Sequence, residues 1–159
     1  MDNKMTWDDT FFETCHVWAK RSKDPSTKLG AVIVYDNRVV SIGYNGFPRG
    51  VRDSKERYTN RKEKYKYVVH AELNAILNAG SFDLHGCILY VPWCPCNECA
   101  KAIIQCGIDT IILESEIIES RWKESCVAAL TMFSEAGVVI QKKNTRGYID
   151  KEQLLKCLK

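Results

Sequence analysis

From residue 70 to residue 142 the chain alternates between two periods, and this restricts the fold more than any other feature. "HAELNAILNAG" has helical apolar spacing and stops at Gly80. "GCILYVP" reads as a buried strand. "CNECAKAIIQCG" is helical to Gly107, "DTIIL" is a strand, "RWKESCVAALTMFSEAG" is helical to Gly137 and "VVIQ" is a strand. "DKEQLLKCLK" closes the chain as a short helix. Helices separated by short buried strands predict an α/β sheet covered by helices on both faces. At 159 residues, with no repeat, low-complexity tract or linker, this implies a single domain over 1–159.

The N-terminal part adds a helix and a hairpin. Thr6 and Asp9 form a capping-box pattern ahead of "WDDTFFETCHVWAKRS", and Asp24-Pro25 ends that helix. "LGAVIVYDN" and "RVVSIGYNG" are strands that turn at Asp36-Asn37, so they pair antiparallel. The loop marked by Gly43, Gly46, Pro48 and Gly50 leads into a charged, tyrosine-bearing segment, 52–67, expected to be mostly solvated. His16 is expected as a helix residue and His85 as a turn residue.

No run of 18 apolar residues occurs, which excludes an apolar membrane-spanning helix. The acidic, polar start "MDNKMTWDDTFFE" has no apolar signal core, so a cytoplasmic location is expected. A net charge of +3 suits an anionic small molecule and falls short of the basic stripe that nucleic-acid binding needs. The eight cysteines do not read as a disulfide framework in a chain this rich in core-forming residues. Cys15, Cys106, Cys126 and Cys157 sit among apolar neighbours and are expected as small buried hydrophobes.

The chemistry lies in "PWCPCNECAKAI". Cys96-x-x-Cys99 follows Pro95 at a predicted helix start, where free amides favour thiolate. That serves a zinc site and a redox pair equally. His70 opens the preceding helix, and helix starts in successive βα units lie at one end of the sheet. His70, Cys96 and Cys99 can therefore converge as three ligands, the number a catalytic zinc uses while leaving a position for water. Glu72 begins the same helix as His70 and can reach that water without binding the metal. A redox protein needs no His70, and a zinc-stabilised interaction module needs no Glu72. His-x-Glu followed by Pro-Cys-x-x-Cys is the pattern of zinc nucleobase deaminases.

With these residues the chain resembles the cytidine and deoxycytidylate deaminase family, nearest in pattern to its deoxycytidylate (dCMP) branch. The resemblance runs through "AKRSKDPSTKLGAVIV", "IGYNGFPRG", "YKYVVHAELNAI" and "CPCNECAKAIIQCGI", about residues 10–114, and continues only in outline at "MFSEAGV". It implies a three-layer α/β/α sandwich around a five-stranded mixed sheet. It also implies hydrolysis of dCMP to dUMP and ammonia, with zinc-bound hydroxide attacking C4 and Glu72 carrying protons. His70, Cys96 and Cys99 correspond to the zinc ligands. Asn45 corresponds to a sugar- and base-contacting asparagine, and the loop "RSKDPSTK" to the wall near the 5′-phosphate, with Ser26 and Lys28 as its contacts. Family members assemble as homo-oligomers, hexamers or dimers, and many respond to dCTP and dTTP. Such effectors would meet the loop holding Gly46, Arg49 and Arg52.

The chain departs from the family pattern in three places. Trp93-Cys94 precedes Pro95; Trp93 could face the base or pack in the core. Lys66 stands where proline is frequent. "ESEIIESRW" lacks the tyrosine of the loop that closes over the nucleotide. Deaminases of nucleosides, of purine nucleotides or of tRNA adenosine would share the zinc core and are the alternatives.

Overall fold

The computed structural model describes residues 4–145 and 147–156. Five strands form one mixed sheet in the order β2-β1-β3-β4-β5. These are β1 (Gly30–Tyr35), β2 (Arg38–Tyr44), β3 (Ile88–Val91), β4 (Thr110–Leu113) and β5 (Val139–Lys142). β1 pairs antiparallel with β2 and β3, and β3, β4 and β5 run parallel. The β1–β2 turn is Asp36-Asn37, both at positive φ (50° and 55°), as a two-residue hairpin turn of matching twist requires.

Helix α1 (Trp7–Ala19) begins at the expected Thr6–Asp9 capping box. It covers one face of the sheet, burying Phe11, Phe12 and Cys15 against Val32, Val34 and Tyr90. The opposite face carries α4 (Ala71–Asn78), α5 (Asn97–Gln105) and α6 (Lys123–Ala136), which supply Ala75, Ile103, Leu130 and Phe133 to the larger core. This is the expected three-layer sandwich, with one helix on one side and three on the other. α6 ends on Gly137 in the left-handed conformation (φ 74°), the stop read from the sequence. A last helix, α7 (Lys151–Lys156), buries Leu154. Cys157 lies outside the described residues.

Two details fix where α4 sits. Gly43 on β2 lies directly beneath it: a Cβ there would fall 2.3 Å from the Ala71 carbonyl oxygen and the Ala75 nitrogen. Ser41 Oγ then donates to the Ala75 carbonyl at 2.7 Å, and Asn74 Nδ2 donates to the Tyr44 carbonyl at 2.8 Å. The helix that carries His70 and Glu72 is thus seated by backbone contact and short hydrogen bonds.

Segment 52–67 is mostly solvated, as expected, and it is helical rather than irregular. It folds into α2 (Lys55–Thr59) and α3 (Arg61–Tyr67), each started by a side-chain cap. Ser54 accepts from the Arg57 amide, and Asn60 accepts from the Lys62 and Glu63 amides. Tyr58 stacks on Phe47 with centroids 4.1 Å apart. Lys64, on α3, is buried (7% exposed) because its ammonium meets buried Asp24 at 2.9 Å.

Candidate active site

The sheet topology brings two helix starts together. His70 is the N-cap of α4 and Cys96 the N-cap of α5. Cys96 Sγ accepts from the Cys99 amide at 3.5 Å, which orients both sulfurs toward His70. His70 Nδ1 lies 3.3 Å from Cys96 Sγ and 3.6 Å from Cys99 Sγ, and the three ligand atoms all fall within 4.8 Å of one another. Tetrahedral zinc with bonds of roughly 2.0–2.3 Å would separate such N and S atoms by about 3.5–3.8 Å. The spacing fits zinc.

The donor set agrees. The Cys99 hydrogen bond pulls the Cys96 thiol down to about 4 against the effect of burial, and pushes the Cys99 thiol far up. Thiolates are the form a cation binds, and a thiol that joins such a site gives up its proton. The Cys96 hydrogen bond raises the His70 pKa despite burial.

Glu72 is buried (5% exposed) in the first turn of α4. Burial pushes its carboxyl up, with His70, its own amide and the Cys99 thiol pulling the other way. A carboxyl raised from its ordinary value is suited to taking and returning a proton near neutral pH.

His70, Cys96 and Glu72 open onto a cavity of about 270 Å³. Of the residues expected to touch substrate, Asn45 and Trp93 line it. Asn45 is buried, accepts from the Leu29 amide at 2.8 Å and donates to the Thr27 carbonyl at 2.9 Å. Trp93 is 39% exposed, a wall residue and not a core aromatic. Ser26 and Lys28 do not line the cavity. Ser26 Oγ donates to Asp24 Oδ1 at 2.9 Å, and Lys28 Nζ donates to the Ser22 carbonyl at 2.6 Å. Thr27, between them, does line it. Gly46 exchanges backbone hydrogen bonds with Val69, and Arg49 Nη2 donates to Asn78 Oδ1 at 3.0 Å; Arg52 is exposed. None of these three borders the cavity.

The structure adds residues that the sequence reading passed over. Lys64 and Tyr65 come from α3, and Arg121 and Trp122 from the loop after β4; all four line the cavity. Trp122 stands edge-on to His70 (centroids 6.3 Å) and to Tyr65 (5.7 Å), so the loop without a tyrosine presents a tryptophan instead. The available signals were Asn60 as a helix cap and the aromatic at the end of "ESEIIESRW". His16 and His85 are held by Glu114 and Asp83, at 2.7 and 2.6 Å.

Comparison with known proteins agrees with this geometry. Residues 5–115 match the family model for the cytidine and deoxycytidylate deaminase zinc-binding region. The chain is 44% identical over 147 residues to deoxycytidylate deaminase of Mus musculus, covering 89% of this chain and 82% of that protein. It is 43% identical over 147 residues to the Homo sapiens deoxycytidylate deaminase, with the same coverage. Its fold matches the crystal structure of dCMP deaminase from the cyanophage S-TIM5, with a TM-score of 0.66 at 24% identity, over 85% of this chain and 95% of that one.

Proposed function

The chain belongs to the cytidine and deoxycytidylate deaminase family, and from that membership we propose that it hydrolyses dCMP to dUMP and ammonia. The observation that carries this reading is buried Glu72 beside a three-ligand group that opens onto a nucleotide-sized cavity. The redox-pair and structural-module readings, left open by the cysteine spacing, do not account for Glu72.

His70, Cys96 and Cys99 would hold zinc, which when bound supplies hydroxide at neutral pH by lowering the pKa of water to roughly 7. Glu72 carries the protons: one from the attacking water to N3 of cytosine, then one to the amino group leaving C4. Water enters and ammonia leaves, so the reaction balances without a further reactant. Trp122 and Tyr65 wall the base and exclude bulk water. Asn45 has one amide hydrogen beyond the one it gives Thr27, and we assign that hydrogen to the sugar. Trp93 is assigned to the substrate side of the wall.

For the 5′-phosphate, two cations border the cavity, Lys64 and Arg121. Lys64 is committed to Asp24 and Ser26, at 2.9 and 3.1 Å. Arg121 is exposed and pairs with Glu119 (Nε to Oε2, 2.6 Å), and its planar guanidinium carries five N–H donors, more than that one pair uses, to offer a phosphate. Arg121 is therefore the phosphate contact of this reading, and Ser26 and Lys28, which do not line the cavity, act on it only by flanking and shaping the Thr27 wall.

Among the described residues no helix is long and apolar enough to cross a membrane. The seven described cysteines are free thiols, which supports a cytoplasmic setting. Homo-oligomers are part of the same reading, supported by exposed Tyr35 and Phe82, whose ring centroids lie 6.3 Å apart. Exposed Arg49 and Arg52 support effector triphosphates at their loop.

The test measures ammonia release from dCMP, deoxycytidine and purine nucleotides, with Arg121→Ala and Lys28→Ala beside the parent. The expected result is a preference for dCMP and a KM for dCMP raised on the order of tenfold or more by Arg121→Ala, the worth of charge-assisted hydrogen bonds. Deoxycytidine turned over as well as dCMP, or a purine preferred, overturns the substrate. A rise in KM with Lys28→Ala alone overturns the phosphate assignment.

A further inference from the structure

Lys64, Asp24, Thr27 and Asn45 all border the cavity, and one chain of hydrogen bonds joins them. It starts on α3, where Lys64 Nζ donates to Asp24 Oδ2 at 2.9 Å and to Ser26 Oγ at 3.1 Å. The other oxygen of Asp24 accepts from the Ser26 amide at 2.9 Å and the Thr27 amide at 3.2 Å, which bends residues 24–27 around the carboxylate. The Thr27 carbonyl then accepts from Asn45 Nδ2 at 2.9 Å, while Asn45 Oδ1 accepts from the Leu29 amide at 2.8 Å. The two anchors of Asn45 differ. Leu29 immediately precedes β1, and its carbonyl also takes the Asn45 backbone amide at 3.2 Å, so the sheet holds that side. Thr27 stands further out, before β1 begins, and its amide is tied to Asp24. The carboxamide is planar, so fixing Oδ1 and one Nδ2 hydrogen fixes the direction of the other hydrogen.

We propose that Lys64 is a positioning residue for substrate binding: through Asp24 and the Thr27 carbonyl it aims the second amide hydrogen of Asn45 into the cavity. Lys64 and Asp24 are both buried. For holding a fold together such a pair has little advantage, because desolvation offsets most of the attraction and apolar side chains of similar volume serve as well. What it adds is a fixed separation between α3 and residues 24–27, and hence a fixed place for the Thr27 carbonyl.

Without the ammonium, the bend at residues 24–27 loses its tie to α3. The Thr27 carbonyl is then free to move, and the Asn45 amide turns with it. Substrate and transition state lose the same hydrogen bond, so the loss falls on KM and spares kcat. That the aimed hydrogen meets the sugar of dCMP rests on the deaminase reading above. Its direction does not.

The test compares the full zinc-loaded parent with Lys64→Met, with Lys64→Met combined with Asp24→Asn, and with Leu154→Ala, each well below its melting temperature. Leu154 is buried on α7 and does not border the cavity, so its truncation lowers Tm through packing alone. Two quantities are read: the Asn45 side-chain amide resonances of the isotope-labelled protein without substrate, and kcat and KM for dCMP separately. In Lys64→Met the Asn45 resonances should shift and KM should rise about three- to tenfold, the worth of one neutral hydrogen bond, with kcat within about twofold of the parent. The double variant should recover part of the lost Tm but neither the resonances nor the KM. Leu154→Ala should lose Tm and keep both. Asn45 resonances unmoved in Lys64→Met, a KM unchanged there while the parent turns over dCMP, a KM that returns with Tm in the double variant, or an equal rise in Leu154→Ala overturns the proposal. A parent that releases no ammonia from dCMP defeats the substrate reading instead, and the Asn45 resonances then decide the proposal.

Discussion

Replacing Lys64 by Met should cost the fold more than any other single charge removed from its surroundings. The Lys64 ammonium sits 2.9 Å from Asp24 Oδ2, with side-chain exposures of 9% and 2%. Removing one partner of a buried pair costs about 3–5 kcal/mol when the other charge is left bare. Asp24 is not left entirely bare. Its Oδ1 still accepts from the Ser26 amide and hydroxyl (both 2.9 Å) and from the Thr27 amide (3.2 Å), and only Oδ2 loses its partner. The loss is therefore that of one charge-assisted bond plus partial desolvation, about 2–4 kcal/mol. For a chain of this size that lowers Tm by about 5–12 °C. Adding Asp24→Asn to Lys64→Met removes the stranded charge and should recover about 1–2 kcal/mol, the coupling expected of side chains in contact. Thermal melts at fixed zinc measure all three.

The pH dependence has a definite sign. Burial pushes the Asp24 carboxyl up, but Lys64, Ser26 and Thr27 together bring it below its ordinary 3.8. A depressed carboxyl contributes stability that is complete above its unfolded pKa and is lost as pH falls through the folded value. In the Lys64→Met variant burial acts without the ammonium, so protonation relieves the strain, and the gap to the parent narrows in acid. If the two proteins melt within about 2 °C of each other at pH 7, or lose stability in parallel below pH 4, Asp24 and Lys64 are not the buried pair described.

Zinc content should be one per chain, and His70→Ala or Cys99→Ser should lower both the bound zinc and the Tm by removing a ligand that stabilises only the folded state. Elemental analysis showing two zincs, or none in an active protein, contradicts the triad. Gly43→Ala should displace α4, because its Cβ would meet the Ala71 and Ala75 backbone at 2.3 Å. The expected cost is about 1–3 kcal/mol, with weaker zinc retention in a chelator competition because His70 caps that helix. Unchanged melting and retention would show that α4 is not seated on Gly43.

The parts of this protein that were legible in advance are those whose signals are local. Thr6 with Asp9, Asp36 with Asn37, and Gly137 announce a cap, a turn and a stop within a few residues, and each forms as read. The zinc group was legible because helix starts in successive βα units share one end of the sheet, so local motifs suffice to place His70, Cys96 and Cys99. What was missed is tertiary. α2 and α3 are too short for a helical period to register, and their caps, Ser54 and Asn60, were the only local cue. Lys64 looks like one charge among many in "RKEKYKY" until Asp24, 40 positions away, is packed against it. Ser26 and Lys28 read as phosphate contacts by residue type, yet the Asp24 turn and the Ser22 carbonyl hold them away from the cavity wall. Cys15 and Cys126 were correctly read as buried, whereas Cys106, at the end of α5, is only half-buried.

The central claim is that Glu72 carries the protons of a zinc-dependent hydrolysis of dCMP. Its most direct test is the formation of dUMP and ammonia by the parent and by Glu72→Gln, at equal measured zinc content. The amide fills the same buried space at the start of α4 but cannot accept and return a proton. Equimolar dUMP and ammonia from the parent, with turnover lower by at least about 10²–10⁴-fold in the variant and zinc unchanged, is the predicted result. No dUMP from the zinc-loaded parent, or a variant within about tenfold of it, would contradict the account.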